Sequence, residues 1–138
     1  MLLSSDGTQV IAYWGENSEV TIPEGVQSIG DRAFRGCGSL RSLTLPSSLQ
    51  SIGDYAFLGC SSLTSLTLPS SLQSIGKEAF YGCKSLSSLT LPSSLQSIGN
   101  HAFEYCDSLS TLYIPTGTEA HFKSILDAKY HKYLKSVN

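Results

Sequence analysis

A solenoid of short parallel strands, with a β-hairpin closing one end and a helix the other, is the fold class this sequence predicts. Regular spacing carries the prediction. Four cysteines, Cys37, Cys60, Cys83 and Cys106, stand 23 residues apart, and five prolines, Pro23, Pro46, Pro69, Pro92 and Pro115, keep the same interval. The string LTLPSSLQSIG recurs unchanged at 43–53, 66–76 and 89–99. Two free positions, Ala-Phe, a free position and Gly-Cys follow it, with Tyr105 in place of the last glycine. A looser copy starts at Val20 and a half-copy, LSTLYIP, ends at Pro115. The chain of 138 residues therefore divides into an N-terminal cap (1–19), repeats (20–115) and a C-terminal cap (116–138), all within one domain.

The second copy shows how each element arises. Leu43-Thr44-Leu45 alternates apolar and polar, so it reads as a strand with its leucines inward, and Pro46 ends it because proline has no N–H for a continuing ladder. Leu49 to Ile52 reads as a second short strand after the Ser47-Ser48 turn. Tyr55 to Cys60 is too short for an independent α-helix and reads as one helical or 3₁₀ turn, with Ala56, Phe57 and Cys60 inward. Stacked copies pair these strands in parallel and bury one another's leucine and phenylalanine faces, giving a right-handed solenoid. Rows Leu45, Leu68, Leu91; Ile52, Ile75, Ile98; and Phe57, Phe80, Phe103 are all expected to be buried.

The ends carry their own signals. Asp6-Gly7, between Leu2-Leu3 and Val10-Ile11-Ala12-Tyr13, predicts a hairpin over the first coil. After Thr118, a candidate N-cap, Phe122, Ile125 and Leu126 fall at helical spacing. Tyr130, Tyr133 and Leu134 continue that apolar face, so a helix is expected to close the last coil.

Composition excludes several function classes. A net charge of -2 and a charged fraction of 14% leave no basic stripe for nucleic acid and no polybasic segment for a lipid surface. No apolar run approaches the ~20 residues of a spanning helix, and Met1-Leu2-Leu3 passes at once to Ser4-Ser5-Asp6-Gly7 without a signal-type stretch. Direct membrane insertion is not expected. Equivalent slots favour buried free thiols for the cysteines over disulfides, and the absence of CxxC spacing argues against metal.

The unit LxxLxLPxxLxxIGxxAFxGCxxL resembles the BspA-like leucine-rich repeat, in which Pro replaces the turn Asn of ordinary leucine-rich repeats. The match runs nearly position for position from Val20 to Pro115, and the opening 3–13 and closing 114–118 segments fit as well. Two slots depart: Tyr105 stands in a glycine slot, and Asn17 stands where Leu40, Leu63, Leu86 and Leu109 stand. Distortion of the last turn and of the first coil is the expectation. The resemblance implies a secreted or surface-attached scaffold, with adhesion to host proteins or to other cells as the associated role, and it transfers no catalytic residue.

No GxSxG elbow, GxxxxGK loop, HExxH pair or EF-hand loop occurs, so no enzyme and no cofactor is predicted. Asp127 and His131, four apart, read as a surface pair rather than half a metal site. Binding must then rest on the slots the repeat leaves free. These form three rows: Arg32, Tyr55, Glu78, His101; Arg35, Leu58, Tyr81, Glu104; and Gly38, Ser61, Lys84, Asp107. Within them Tyr55, Leu58 and Tyr81 make an exposed apolar-aromatic patch suited to a protein partner. The strand face offers a hydroxyl ladder, Thr44, Thr67, Thr90 and then Tyr113, as a polar alternative. Charges alternate between copies, Asp54 before Lys77 and Lys84 before Asp107, so Lys84 and Asp107 are expected as surface neighbours, with Asp31 beside Asp54 the exception. Two function classes follow: an interaction module for a protein or glycan, or a structural spacer with no ligand of its own. Oligomeric state is left open.

Overall fold

A computed structural model describes residues 1–137, the side chain of Ser65 excepted. Each coil contributes to three faces. On the strand face lie β3 (Glu19–Thr21), β5 (Ser42–Thr44), β7 (Ser65–Leu66), β9 (Ser88–Thr90) and β11 (Thr111–Pro115). On the second face lie β4 (Ser28–Ile29), β6 (Ser51–Ile52), β8 (Ser74–Ile75) and β10 (Ser97–Ile98). The third face is built of turns.

Pairing is parallel and in register. Ser28, Ser51, Ser74 and Ser97 align, as do Ile29, Ile52, Ile75 and Ile98, so identical residues meet their own copies one coil on. The hairpin of β1 (Leu2–Leu3) and β2 (Gln9–Ala12) joins this second face: β2 pairs with β4, giving the order β1-β2-β4-β6-β8-β10. The strand face is divided into two sheets, β3-β5-β7 and β9-β11-β12, where β12 is Leu134–Val137.

Side chains reinforce the ladders. Ser48, Ser71 and Ser94, the second serine of each Pro-Ser-Ser, donate to the carbonyls of Val26, Leu49 and Leu72 in the preceding coil at 2.8, 2.5 and 2.6 Å. Cys60, Cys83 and Cys106 are free buried thiols whose Sγ donate to the Phe34, Phe57 and Phe80 carbonyls. Cys37 is half-buried. A stack of rings runs the length of the core: Tyr13, Phe34, Phe57, Phe80 and Phe103 lie with successive centroids 5.1, 5.2, 5.3 and 5.8 Å apart, and Tyr130 closes it edge-on at 6.1 Å. A tyrosine from each cap thus terminates the phenylalanine row.

Several expectations need correction. The second strand is two residues long, because Leu49 is still in a turn, donating to Pro46 O. The expected turn keeps its i→i+3 bonds, Leu58 N to Tyr55 O and Cys60 N to Phe57 O. It does not continue as a helix, because Tyr55 and Gly59 have positive φ, 59° and 76°. Leu45 and Ile98 are only partly buried. Ile98 lies on β10, the last strand of its sheet, and Leu45 borders a groove on the strand face. The C-terminal helix α1 covers only Glu119–Ile125; a 3₁₀ helix, Ala128–Tyr133, carries Tyr130 and Tyr133, and Leu134 begins β12, which pairs in parallel with β11. Thr118 occupies the N-cap position, but its Oγ1 donates to Pro115 O rather than capping the helix. Asn17 is exposed, whereas Leu40, Leu63, Leu86 and Leu109 are buried. Tyr105 keeps the left-handed backbone of its slot, φ 57° beside the 73°, 76° and 74° of Gly36, Gly59 and Gly82.

Candidate functional site

The turn face owes its shape to two backbone requirements. Every other N–H of the turn segment donates to the next coil: Tyr55 N to Lys77 O, Phe57 N to Ala79 O and Gly59 N to Tyr81 O, each at 2.7–2.8 Å. This ladder brings coils so close that a Cβ on Gly76 would fall 2.6 Å from the Asp54 nitrogen. The first free row also occupies the left-handed region, with Arg32, Tyr55, Glu78 and His101 at φ 61°, 59°, 51° and 60°. That region is costly for side chains other than Gly, Asn or Asp. Nothing in these four unlike residues announces it.

Tyr55, Leu58 and Tyr81 are each half-buried, where full exposure was expected. They also fall into separate groups. The Tyr55 ring lies between two cations, Arg32 Cζ at 4.7 Å and Lys77 Nζ at 5.9 Å from its centroid. Tyr81 instead meets Tyr105 edge to face, with centroids 5.1 Å apart and planes at 74°. Among the described residues no ring contact joins Tyr55 to Tyr81. Leu58 and Tyr81 hold equivalent slots in adjacent coils. Tyr105, at 59% exposure, and Trp14, at 71%, are more open than any of the three. The break in the glycine row signals Tyr105 in the sequence; Trp14, outside the repeat, has no comparable signal.

Around Tyr81 and Tyr105 the chain forms a shallow depression of about 360 Å³, lined also by Glu78, His101 and Glu104. The Tyr81 hydroxyl is held above its ordinary pKa, first by desolvation and then by Tyr105, Glu78 and Glu104. Glu104 ties the last coil to the cap: its Oε2 lies 3.5 Å from His101 Nδ1, pairs with Lys129 Nζ and accepts from the Tyr130 hydroxyl at 3.2 Å. Hydrogen bonding from Lys129, above all, holds its carboxyl below the usual range.

On the strand face Thr44, Thr67 and Thr90 are exposed and Tyr113 is half-buried. Thr44 and Thr67 line a groove of about 550 Å³ with Glu24, Leu45, Ser47 and Pro69. Asp31 and Asp54 avoid mutual repulsion by turning to backbone: Asp31 Oδ1 accepts from Asp54 N and Asp54 Oδ1 from Lys77 N, both at 2.8 Å. The expected Lys84–Asp107 neighbours form no ion pair among the described residues. Asp127 and His131 each serve backbone instead of each other, Asp127 Oδ1 accepting from Lys129 N and His131 Nε2 lying 2.8 Å from Leu126 O.

Among the described residues no three His, Cys, Asp or Glu side chains are grouped to hold a metal ion. Burial raises the Cys60 and Cys106 thiols to about 12 and moves Cys37 and Cys83 in the same direction, which leaves them protonated and poorly nucleophilic.

The BspA-type leucine-rich repeat region matches residues 11–128 in six copies. The chain belongs to that family. A search of curated proteins returned no match. Solved structures agree with the family. The leucine-rich repeat protein of Treponema pallidum is 30% identical at a TM-score of 0.66, over 80% of this chain and 66% of its own. A leucine-rich repeat protein of Bacteroides ovatus is 28% identical at 0.70, over 94% and 39%. The pneumococcal vaccine antigen PcpA is 31% identical at 0.78, over 81% and 28%. The chain therefore spans less than two thirds of each of these three. A leucine rich cell surface protein of Faecalibacterium prausnitzii is 26% identical at 0.70, over 89% of this chain and 39% of its own. Like these, the chain is a leucine-rich repeat protein; its own C-terminal element is helical. No helix among the described residues is long and apolar enough to cross a membrane.

Proposed function

We propose that this BspA-type solenoid is a non-enzymatic interaction module of a secreted or cell-surface protein and engages its partner, a protein or glycan, through the turn face. One observation carries the reading. In an array that repeats eleven residues unchanged over three coils, the free slots hold Tyr55, Leu58 and Tyr81 on one face and Tyr105 replaces a glycine beside them, although the core requires none of the four. Aromatic side chains at a partly desolvated centre carry a disproportionate share of interface energy. The location is supported by neighbours whose names describe a cell surface protein and a vaccine antigen.

The test is a binding screen of the intact chain against matrix proteins and glycans, followed by the variant Tyr55→Asn, Leu58→Ser, Tyr81→Ser. Asparagine is chosen at 55 because it tolerates φ 59°. Binding should fall at least about tenfold while the melting temperature stays nearly unchanged. The unchanged Thr44, Thr67 and Thr90 slots favour the second reading, a spacer, and an exhaustive screen with no partner for the intact chain would establish it.

A further inference from the structure

We infer that the corner formed by Tyr81, Tyr105 and Glu78 is a receptor for a basic side chain, the guanidinium or ammonium group of an arginine or lysine on a protein partner. It rests on the interaction-module reading and names the chemistry of the partner.

The turn face and C-terminal cap themselves show what covers a tyrosine here. Arg32 and Lys77 lie over Tyr55, Lys129 lies over Tyr130 at 5.2 Å, and Lys132 over Tyr133 at 5.3 Å. Tyr81 and Tyr105 carry no such cation among the described residues. Carboxylates line their depression instead. The negative face of an aromatic ring and a nearby carboxylate attract the same kind of group, and the two together bind a cation better than either alone.

Charge at the corner is unbalanced. Lys129 and His101 face Glu104, whereas Glu78, although its charge reaches the neighbouring Lys77, forms no ion pair among the described residues. A cation seated in the outer angle of the two rings meets Glu78 without breaking an ion pair among the described residues. Two rings at 74° form two walls, and a depression of about 360 Å³ admits one side chain but not a folded segment.

Tyr105 strengthens the case from the backbone. It holds φ 57° in the slot that glycine fills in three other coils, and it projects a ring that is 59% exposed. A strained residue that buries little contributes little to folding, and such residues concentrate at binding sites. A neutral sugar would find hydroxyl acceptors here but would leave the excess negative charge unmatched, so the observations favour the basic side chain.

The probe is an acetylated and amidated Gly-Ser-Arg-Ser-Gly peptide, titrated into the full chain and followed by backbone and aromatic NMR shifts. A peptide with citrulline in place of arginine keeps the shape and removes the charge. The arginine peptide should give saturable shifts centred on Glu78, Tyr81, His101, Glu104 and Tyr105, and bind at least about tenfold more tightly than the citrulline peptide. Tyr105→Gly and Glu78→Gln should each weaken it severalfold, and Tyr55→Asn should not. Equal response to both peptides, shifts centred on Asp31 and Asp54, or no saturable response would overturn the inference. So would shifts at this corner with a neutral oligosaccharide and none with the arginine peptide. Should the arginine peptide fail while a partner from the binding screen still depends on Tyr55, Leu58 and Tyr81, this inference falls and the module reading stands.

Discussion

Phe80 lies in the middle of a stack, 5.3 Å from Phe57 and 5.8 Å from Phe103, and none of its surface reaches solvent. Neighbours on both sides hold the gap open when it is truncated, so Phe80→Ala should cost about 3–5 kcal/mol. Chemical denaturation measures this, and a loss below about 1 kcal/mol would mean that the coils collapse onto one another. Glycines separate two different constraints. Gly82, at φ 74°, has room for a Cβ 3.8 Å from the Gly59 Cα, so Gly82→Ala should cost only the left-handed strain, about 1–2 kcal/mol. Gly76→Ala should cost more, because its Cβ would fall 2.6 Å from backbone that belongs to the next-door ladder. Equal losses at the two positions would contradict the close coil contact. The recurrence of both glycines is legible in the sequence, with Tyr105 the one departure from the Gly82 slot; the left-handed backbone at Arg32, Tyr55, Glu78 and His101 is not, because only His101 among them is of a type enriched there.

The caps are where local chemistry decides an element. In the N-terminal hairpin Asp6 Oδ1 accepts from Thr8 Oγ1 at 2.7 Å, Ser4 Oγ at 2.8 Å and Thr8 N at 3.0 Å. These bonds, the Thr8 and Ser4 hydroxyls first, lower the Asp6 pKa to about 2. Because the folded value lies below the unfolded one, the bonds stabilise the turn fully above about pH 4. That support is lost as pH falls through about 2. Amide exchange at Ser4 and Gln9 should therefore accelerate between about pH 4 and 2 beyond its intrinsic change, and Asp6→Asn should remove the transition. Identical profiles in both proteins would contradict this role. Asp6-Gly7 made the hairpin readable. The C-terminal cap was readable only in part: Phe122, Ile125 and Leu126 marked the helix, but Leu134–Val137 lies outside the repeat and its strand character comes from the edge that β11 offers. The Asp31–Asp54 neighbours are legible in the charge pattern, but what fixes their carboxylates is not: each accepts from the backbone N–H one coil on.

At the scale of the whole molecule, periodicity makes the core explicit and function nearly silent. Leu72, Ile75, Ala79, Phe80 and Cys83 are buried because each meets its own copy, and that much follows from a 23-residue interval. Which face receives a partner depends on side chains the repeat does not constrain, and there Tyr105 counted as an irregularity when it forms the most exposed wall of the aromatic corner. The two faces can be separated by one titration of a partner found by screening. It compares the intact chain, Tyr55→Asn/Leu58→Ser/Tyr81→Ser, and Thr44→Lys/Thr67→Lys/Thr90→Lys at a temperature where all three are folded. The turn-face variant should lose at least about tenfold in affinity, with the strand-face variant within about twofold of the intact chain. Loss confined to the strand-face variant would place the site in the threonine groove and contradict the account.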